Sequence, residues 1–249
     1  MQQCDIDAEI LAQLAPTGTL RAGINLGNFL LVTGTAANGD PEGVSPDIAA
    51  EIARRLGVRL ELVTYPDPGL LADAAERGEW DIGNIGAEPQ RAQTIAFTAA
   101  YCEIESTYLL PAGSPIQSIA EVDRPGIRIA TKGRAAYGLW LENNIKSATL
   151  VRTATIDESY EVFVQENLDA LAGLKPRLLM DAQRLPGARI LEGTFSSVQQ
   201  SVGTPRKNGV AALWLSRVVE DMKASGLVGR LIEKHGVAGL SVAKQAAKA

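Results

Sequence analysis

The sequence predicts an α/β protein made of two similar lobes joined by two extended segments. Three observations support this prediction. Residues 20–85 alternate between strand-like and helix-like segments, the order expected for a parallel sheet covered by helices. Residues 127–191 repeat that alternation. Between and after these halves, residues 105–112 and 198–205 form apolar, β-rich stretches that read as the two crossings.

The first lobe is defined by one clear amphipathic helix and the strands around it. Ser45 is predicted as the N-cap of this helix, Pro46 takes its first position, and Gly57 ends it. In chain order the expected elements are a helix within 1–17 ended by Pro16, a strand at 20–25, a hairpin-like loop at 34–42, the helix at 45–57, a strand at 58–62, a helix at 70–78 and a strand at 80–85.

The second lobe is expected to contain strands at 127–131, 168–172 and 189–191 and helices at 135–143 and 160–166. Two final helices return to the first lobe. Val210, Leu213, Val218 and Met222 are predicted to line the first of them, and Ser225 to cap the second. The predicted division is residues 18–107 with 204–249 for the first lobe, 108–203 for the second, and 1–17 as an N-terminal extension.

Composition excludes several classes of function. The net charge of -5 argues against a nucleic-acid surface, which needs clustered Lys and Arg. With His235 as the single histidine, His-based triads and His-rich metal sites are not expected, and no cofactor is implied. Cys4 and Cys102 give neither metal-ligand spacing nor a disulfide framework. No run of about 18 apolar residues predicts a transmembrane helix.

Residues 80–101 contain the most informative cation of the chain. They read as a buried strand, a Gly-containing turn, and then a helix start at Glu88-Pro89. Arg91 would lie in the first turn of that helix, where acids are normally preferred. An Arg beside free backbone N–H groups suits a carboxylate, whereas the alternative is a solvated surface Arg.

The same segment resembles the first-lobe signature of family 3 extracytoplasmic solute-binding proteins, the amino-acid-type receptors of bacterial ABC importers. The matching parts are Asp81, the turn at 83–87, Glu88-Pro89-Gln90-Arg91, and Phe97-Thr98 followed by Tyr101. The turn is about two residues shorter than in the family, and Glu88 replaces its Thr. Further matching pieces between residues 18 and 238 are Gly18–Arg21, the helix at 43–57, the Gly133 turn, Leu168–Ala170 and Lys223–Leu227.

This resemblance implies a two-lobed, type II periplasmic-binding-protein-like fold with a ligand cleft between the lobes. Ligands of open α/β sheets bind at the carboxyl ends of strands, which selects four loops. The candidate ligand-binding residues from these loops, with one residue on the first crossing, are Asn25, Asn28, Gly86, Ala87, Glu88, Arg91, Gly133, Arg134, Ala135 and Glu105.

One expected residue is missing. Receptors of this family carry an acid that pairs with the ligand ammonium, and the corresponding position here is Leu174, followed by Lys175. Asp169 corresponds to the strand-entry acid and is expected to be structural. Recognition of an ordinary α-amino acid is therefore in question, and Arg134 favours an anionic ligand if it is not simply solvated. Glu88 would either pair with an Arg or bind a ligand amine, and Glu105 is a weaker candidate for that role.

The leading hypothesis is a monomeric binding protein that closes two lobes on a small, carboxylate-bearing solute and delivers it to an ABC permease. The alternatives are a lyase resembling cyclohexadienyl dehydratase, with Glu88 as general acid, and a ligand sensor inside the cell. The resemblance implies a periplasmic location. The first 18 residues lack the basic and apolar segments of a secretory signal, so a cytoplasmic location stays open.

Overall fold

The computed structural model describes residues 7–246. Its elements are, in chain order, α1 (Ala8–Leu14), β1 (Thr19–Asn25), β2 (Gly34–Thr35), β3 (Pro41–Glu42), α2 (Val44–Leu56), β4 (Arg59–Tyr65), α3 (Pro68–Asp73), β5 (Ile82–Gly86), β6 (Ile95–Phe97), β7 (Cys102–Leu110), β8 (Arg128–Lys132), α4 (Ala136–Asn144), β9 (Thr149–Thr153), α5 (Ile156–Gln165), β10 (Ala170–Leu174), α6 (Lys175–Gln183), β11 (Arg189–Ile190), β12 (Ser196–Pro205), α7 (Gly209–Ala224), α8 (Leu227–Lys234) and β13 (Ser241–Val242).

The chain divides into two compact units. Within the described residues, unit 1 comprises 7–103 and 199–246, and unit 2 comprises 104–198. The boundaries predicted from the sequence fall a few residues later at both crossings. The N-terminal helix α1 packs on α7 in unit 1, where Leu14 is fully buried.

Unit 1 is built on a sheet with the strand order β4-β1-β5-β12. Strand β1 is parallel to β4 and β5, whereas β12 is antiparallel to β5. The chain leaves β1 through α2 to β4 and returns through α3 to β5 on the opposite side of β1. Right-handed crossovers therefore place the two helices on opposite faces of the sheet. The main core packs α2, α7 and the sheet together around Ile48, Ile52, Trp214 and Met222.

Unit 2 repeats this plan with the strand order β7-β10-β8-β9. Strand β8 is parallel to β9 and β10, and β10 is antiparallel to β7. Helix α4 connects β8 to β9, and α5 connects β9 to β10 on the other side of β8. A separate core forms around Leu109, Phe163, Leu171 and Leu178.

Each unit fixes its two central strands with one aspartate that stands just before a strand. In unit 1 the Asp81 carboxylate accepts the backbone N–H of Arg21 at 2.9 Å. In unit 2 the Asp169 carboxylate accepts the backbone N–H of Arg128 at 2.8 Å. The structural role expected for Asp169 is therefore confirmed.

Helix α2 begins two residues earlier than predicted. Gly43 is its N-cap, with φ of 151°, and a Cβ at this position would lie 2.2 Å from the Leu31 carbonyl oxygen. The predicted cap, Ser45, lies inside the helix because its hydroxyl bonds instead to the Tyr101 hydroxyl, 3.0 Å away. The predicted end at Gly57 is confirmed, since Gly57 adopts the left-handed conformation with φ of 69°.

The C-terminal helices differ from prediction in their faces and caps. Of the four residues predicted to line α7, Val218 and Met222 are buried as expected, whereas Val210 and Leu213 are exposed, by 37% and 67%. The buried face of α7 consists of Ala211, Trp214, Leu215, Val218, Val219, Met222 and Lys223. Ser225 ends α7, and Gly226 stands at the N-cap of α8.

The structure also describes one of the two cysteines and the apolar character of the helices. Cys102 is buried with a free thiol, and Cys4 lies outside the described residues. Within residues 7–246, no helix combines the length and apolar character that crossing a membrane requires.

Candidate ligand-binding site

Both units place candidate residues at a topological switch point, where neighbouring parallel strands send their chains in opposite directions. In unit 1 this point lies between β1 and β5, and in unit 2 it lies between β8 and β10. Loops that follow such strands form the usual ligand site of open α/β sheets. Nine of the ten candidates belong to these loops or the last residues of the strands; Glu105 lies on β7.

Arg91 is buried beyond the carboxyl end of β5. Only 6% of the residue is exposed, and its Nη1 donates to the Gly86 carbonyl oxygen at 2.8 Å. The predicted helix is wrong: Arg91–Gln93 form a single turn of 3₁₀-helix, and the chain then enters β6. A turn this short has no appreciable helix dipole to attract an anion. What remains is a guanidinium positioned by a backbone carbonyl at the switch point.

Glu88 precedes this turn and is half-buried. Its backbone carbonyl accepts the N–H of Ala92 at 3.0 Å, which closes a turn over the three intervening residues. Burial raises the pKa of the Glu88 carboxyl to about 7, against the opposing effect of the Arg91 charge, which lowers it. Near neutral pH this carboxyl can therefore either hold or release a proton.

Gly86 and Ala87 form the backbone of the same loop. Gly86 is the last residue of β5 and is paired with Gln200 of β12. The N–H of Ala87 donates to the Gln199 carbonyl at 2.8 Å. This N–H is therefore already occupied by the chain itself, so a ligand donor at this loop has to come from another group.

Asn25 and Asn28 shape the loop after β1. The Asn25 side-chain oxygen accepts the N–H of Gly27 at 3.0 Å, and that of Asn28 accepts the N–H of Leu30 at 3.2 Å. Both are Asx-turns, in which the side-chain oxygen takes the place of the backbone carbonyl that would accept the hydrogen bond in an ordinary turn. Their ligand role stays a prediction.

In unit 2, Gly133, Arg134 and Ala135 connect β8 to α4. The N–H of Gly133 donates to the Thr153 carbonyl at 3.0 Å. Arg134 is exposed and adopts the left-handed conformation with φ of 61°, which is uncommon for a residue other than glycine. Ala135 is the N-cap of α4 and offers no side-chain cap.

Glu105 makes a contact that the sequence did not predict. Its Oε2 lies 2.7 Å from the Nζ of Lys175, the first residue of α6. Leu174, at the N-cap of α6, is buried. The carboxylate of Glu105 thus already has a cationic partner within unit 2.

Sequence reasoning missed a group of buried polar side chains near these loops. Asn84 is 1% exposed, stands two residues before the end of β5, and has no hydrogen-bond partner for either side-chain polar atom. Ser106 and Thr131, at 0% and 1% exposure, likewise hold unpaired hydroxyls in unit 2. Asn84 could have been identified from the sequence, because it is a polar residue in the middle of the otherwise apolar strand β5.

The charged clusters and the cavities of the described residues add little to these loops. Within 7–246, no cluster of three or more His, Cys, Asp or Glu side chains could hold a metal ion. A small cavity in unit 2, next to α5 and α6, has room for about one water molecule. Its polar lining comes from Tyr137, Ser159, Arg177 and Asp181.

These features define an α/β binding protein with the type II periplasmic-binding-protein fold. The sequence model of the bacterial extracellular solute-binding proteins, family 3, matches residues 29–238, and the chain belongs to that family. The resemblance drawn from residues 80–101 is thereby confirmed. No curated protein matches the chain in sequence.

Solved structures share this fold at low sequence identity. A mutant of ArgBP from T. maritima is 19% identical with a TM-score of 0.72, covering 92% of this chain and 100% of that one. An ancestral amino acid-binding protein, a precursor of cyclohexadienyl dehydratase, is 20% identical with a TM-score of 0.71 and coverages of 90% and 97%. An amino acid ABC transporter substrate-binding protein from Streptococcus pneumoniae, bound to L-arginine, is 17% identical with a TM-score of 0.70 and coverages of 95% and 100%. The predicted fold class is confirmed.

Proposed function

We propose that this chain is the solute-binding component of an ABC transport system and binds a small amino-acid-like or carboxylate-bearing solute. Its family consists of extracellular solute-binding proteins, which supports the binding role. The observation that carries the ligand class is Arg91, a buried guanidinium at the switch point of unit 1. Guanidinium groups match carboxylates with two parallel hydrogen bonds, and burial strengthens such contacts by excluding water.

Glu88 gives this proposal its second element. A half-buried carboxyl three residues before Arg91 can accept hydrogen bonds from a ligand ammonium when it is ionised. A ligand with both a carboxylate and an amine would then meet complementary charges on one loop. Glu88 and Arg91 are accordingly the proposed principal ligand residues, with Asn25, Asn28, Gly133, Arg134 and Ala135 as further contacts.

A thermal-shift screen across amino acids, dicarboxylates, polyamines and phosphonates tests the proposal. The best hit is then titrated by calorimetry into wild type, Arg91→Ala and Arg54→Ala. Arg54 is an exposed cation on α2, so its removal changes the net charge equally without touching the loop. We expect Arg91→Ala to weaken binding by tenfold or more and Arg54→Ala to leave it unchanged. Equal affinities in all three proteins would show that Arg91 does not contact the ligand.

The expectation that binding compacts the chain has its own measurement. Small-angle X-ray scattering with and without the best hit reports the radius of gyration. A ligand that shifts the melting temperature but leaves this radius unchanged would contradict closure while leaving binding intact.

The proposed location is the periplasm, and the proposed partner is a permease. Cell fractionation of the native gene product tests the location.

A second candidate function is a lyase, favoured by the raised pKa of Glu88. A carboxyl that titrates near pH 7 in a partly buried loop has the acidity that general-acid catalysis requires. One structural neighbour is described as a precursor of cyclohexadienyl dehydratase. Incubation with arogenate or prephenate, with Glu88→Gln as the control, separates the two functions. Turnover by wild type that is lost in Glu88→Gln supports the lyase; its absence supports binding alone.

A further inference from the structure

Asn84 is a polar side chain buried in an interior strand of unit 1 without a hydrogen-bond partner. Only 1% of the residue is exposed, and neither its side-chain oxygen nor its side-chain nitrogen is paired. Among residues 7–246, the other unpaired buried side-chain atoms occur one to a residue, whereas Asn84 leaves both a donor and an acceptor unpaired. An unpaired buried amide destabilises a folded chain, so a group of this kind points to a functional site.

The same unit pairs its other buried amides. Asn208 is 7% exposed, and its Nδ2 donates to the Gln13 carbonyl oxygen at 3.1 Å and to the Thr204 hydroxyl at 3.0 Å. The Thr204 hydroxyl in turn donates to the Asp81 carbonyl oxygen at 2.8 Å, just before the start of β5. The core of unit 1 can therefore supply partners for a buried asparagine near the start of β5, and it does not do so for Asn84 near the end of this strand.

Asn84 lies two residues before the end of β5, on the side of the strand that it shares with a glycine. Side chains alternate between the two faces of a strand, so Asn84 has Ile82 and Gly86 on its own face. Gly86 ends the strand, and its carbonyl oxygen accepts the Arg91 Nη1 at 2.8 Å. Because glycine has no side chain, no side chain of β5 on this face separates the Asn84 amide from the end of the strand. Two residues along a strand span roughly 6.6 Å, a distance that a small solute can bridge.

The side chains on either side of Asn84 are apolar. Ile24 of β1 and Val202 of β12 are paired with it in register, and both are buried. Ile82 and Val202 belong to the main core of unit 1. An ionised group of a solute would find no counter-charge among these neighbours, whereas a neutral group that both donates and accepts a hydrogen bond would satisfy the amide.

We propose that Asn84 is a specificity-determining residue of the unit 1 site and binds a carboxamide group of the solute. This inference rests on the proposed function and narrows its substrate class. The solute presents its carboxylate to Arg91, any ammonium to Glu88, and its carboxamide to Asn84, so that the two amides satisfy each other's donor and acceptor. A carboxylate or an ammonium in place of the carboxamide would lose one of these two contacts and bring an unpaired charge. Amino acids with an amide side chain are accordingly the favoured solutes.

Calorimetric titration of wild type, Asn84→Leu, Asn208→Leu and Arg91→Ala tests the inference. The probes are L-glutamine and L-asparagine, with L-glutamate as a charged analogue of similar shape and L-leucine as an apolar one. For wild type, we expect one of the two amides to bind about tenfold more tightly, or better, than L-glutamate and L-leucine. Arg91→Ala should weaken every probe that binds, because all of them carry a carboxylate.

Asn84→Leu replaces the amide with an apolar group that has the same number of heavy atoms. We expect it to weaken the favoured amide by about tenfold or more and to shift the preference to L-leucine. Because it removes an unpaired buried amide, it should also raise the melting temperature by about 2–4 °C. If Asn84→Leu does not fold, Asn84→Ala removes the amide without added bulk, and the same loss of affinity is expected.

Asn208→Leu is the matched control, since it makes the same chemical change at a paired amide. It removes two hydrogen bonds near the start of β5, so it should lower the melting temperature. The ligand preference should stay that of wild type.

Three results would overturn the inference. In the first, neither amide binds wild type more tightly than L-glutamate and L-leucine, or the wider thermal-shift screen yields only solutes without a carboxamide. In the second, Asn84→Leu, or Asn84→Ala in its place, leaves the preference for the amide unchanged. In the third, Asn84→Leu lowers the melting temperature as Asn208→Leu does, which would show that the Asn84 amide has a partner in the free protein.

Arg91→Ala separates these failures from failure of the proposed function. If binding still depends on Arg91 in any of the three cases, the proposed function stands without a role for Asn84. If no probe binds and the wider screen is also silent, both the inference and the proposed function fail.

Discussion

Asp81 holds Arg21 through three hydrogen bonds. Its Oδ2 accepts the backbone N–H of Arg21 at 2.9 Å and the guanidinium Nε at 3.1 Å, and its Oδ1 accepts Nη2 at 2.7 Å. The side chain of Asp81 is 5% exposed. One acid thus joins the start of β5 to β1, the two strands whose far ends form the candidate site of unit 1.

Replacement of Asp81 should therefore destabilise unit 1 strongly. Asp81→Ala leaves the backbone N–H, the Nε and the Nη2 of Arg21 without their acceptor, while Nη1 still donates to the Gly78 carbonyl. We expect a loss of about 3 kcal/mol in the free energy of unfolding. The comparison is Asp169→Ala, which removes the equivalent backbone contact in unit 2 and should cost about 1 kcal/mol. Urea denaturation followed by hydrogen exchange assigns each loss to its unit. Equal losses of unfolding free energy in the two variants would show that the contact of Asp81 with the Arg21 side chain does not stabilise unit 1.

Gly138 should be intolerant of any side chain. A Cβ at this position would lie 2.3 Å from the Lys132 carbonyl oxygen, so α4 could not stay at its present distance from β8. We expect Gly138→Ala to lower the free energy of unfolding by about 2 kcal/mol through overpacking.

Gly209→Ala is the matched control for this substitution. Gly209 is the first residue of α7, as Gly138 is the third residue of α4, and a Cβ at Gly209 would meet no atom within 4 Å. Because alanine favours helix more than glycine, this variant should be neutral or slightly more stable. A thermal melt in which both variants behave alike would contradict the close approach of α4 to β8.

Glu88 should make the stability of unit 1 depend on pH. Its pKa is raised from 4.5 to about 7 in the folded chain, so between these values the folded state binds more protons than the unfolded state. Stability contributed by protonated Glu88 is therefore full below about pH 4.5 and is lost as the pH rises to about 7. We expect Glu88→Gln to flatten this part of the curve of unfolding free energy against pH. An unchanged slope between pH 5 and pH 8 would mean that Glu88 titrates like a solvated carboxyl.

Gln13 of α1 should stabilise the fold by capping the N-terminus of α7, a helix that lies far from it in the sequence. Its Oε1 accepts the N–H of Ala211 at 3.0 Å, in the first turn of α7, where the N-cap residue Asn208 makes no capping bond. Loss of such a cap typically costs about 1 kcal/mol, which is our expectation for Gln13→Ala. Gln165→Ala, at an exposed position in unit 2, is the control and should have no effect on urea denaturation. If Gln13→Ala matches that control, water replaces the side-chain cap without loss.

The order of strands and helices in each unit could be predicted because hydrophobic periodicity is a local property. The alternation around Leu60 and the spacing of Ile48, Ile52 and Leu56 were sufficient for β4 and α2. Helix α6 was not predicted, although Pro176 in its first turn was an available signal. Its buried face includes Asp181, whose polar side chain obscures the helical pattern and is balanced by Arg177 only in the folded chain.

The candidate site was less accessible to sequence reasoning because its contacts are long-range. Ser45 has the chemistry of an N-cap, but its hydroxyl is taken by Tyr101, 56 residues away. The turn at Arg91 cannot continue as a helix because Ile95–Phe97 pair with β12. The contact of Glu105 with Lys175 spans 70 residues, and neither position alone predicts the other.

The separate location of these charged residues has an evolutionary consequence. Glu88 and Arg91 lie on one loop of unit 1, whereas Arg134 and Lys175 follow two strands of unit 2, each unit having its own core. Substitutions at Lys175 or Glu105 therefore leave the strands and the core that hold Arg91 undisturbed. After a gene duplication, the loops of unit 2 can accordingly change while the packing around the Arg91 loop of unit 1 is kept.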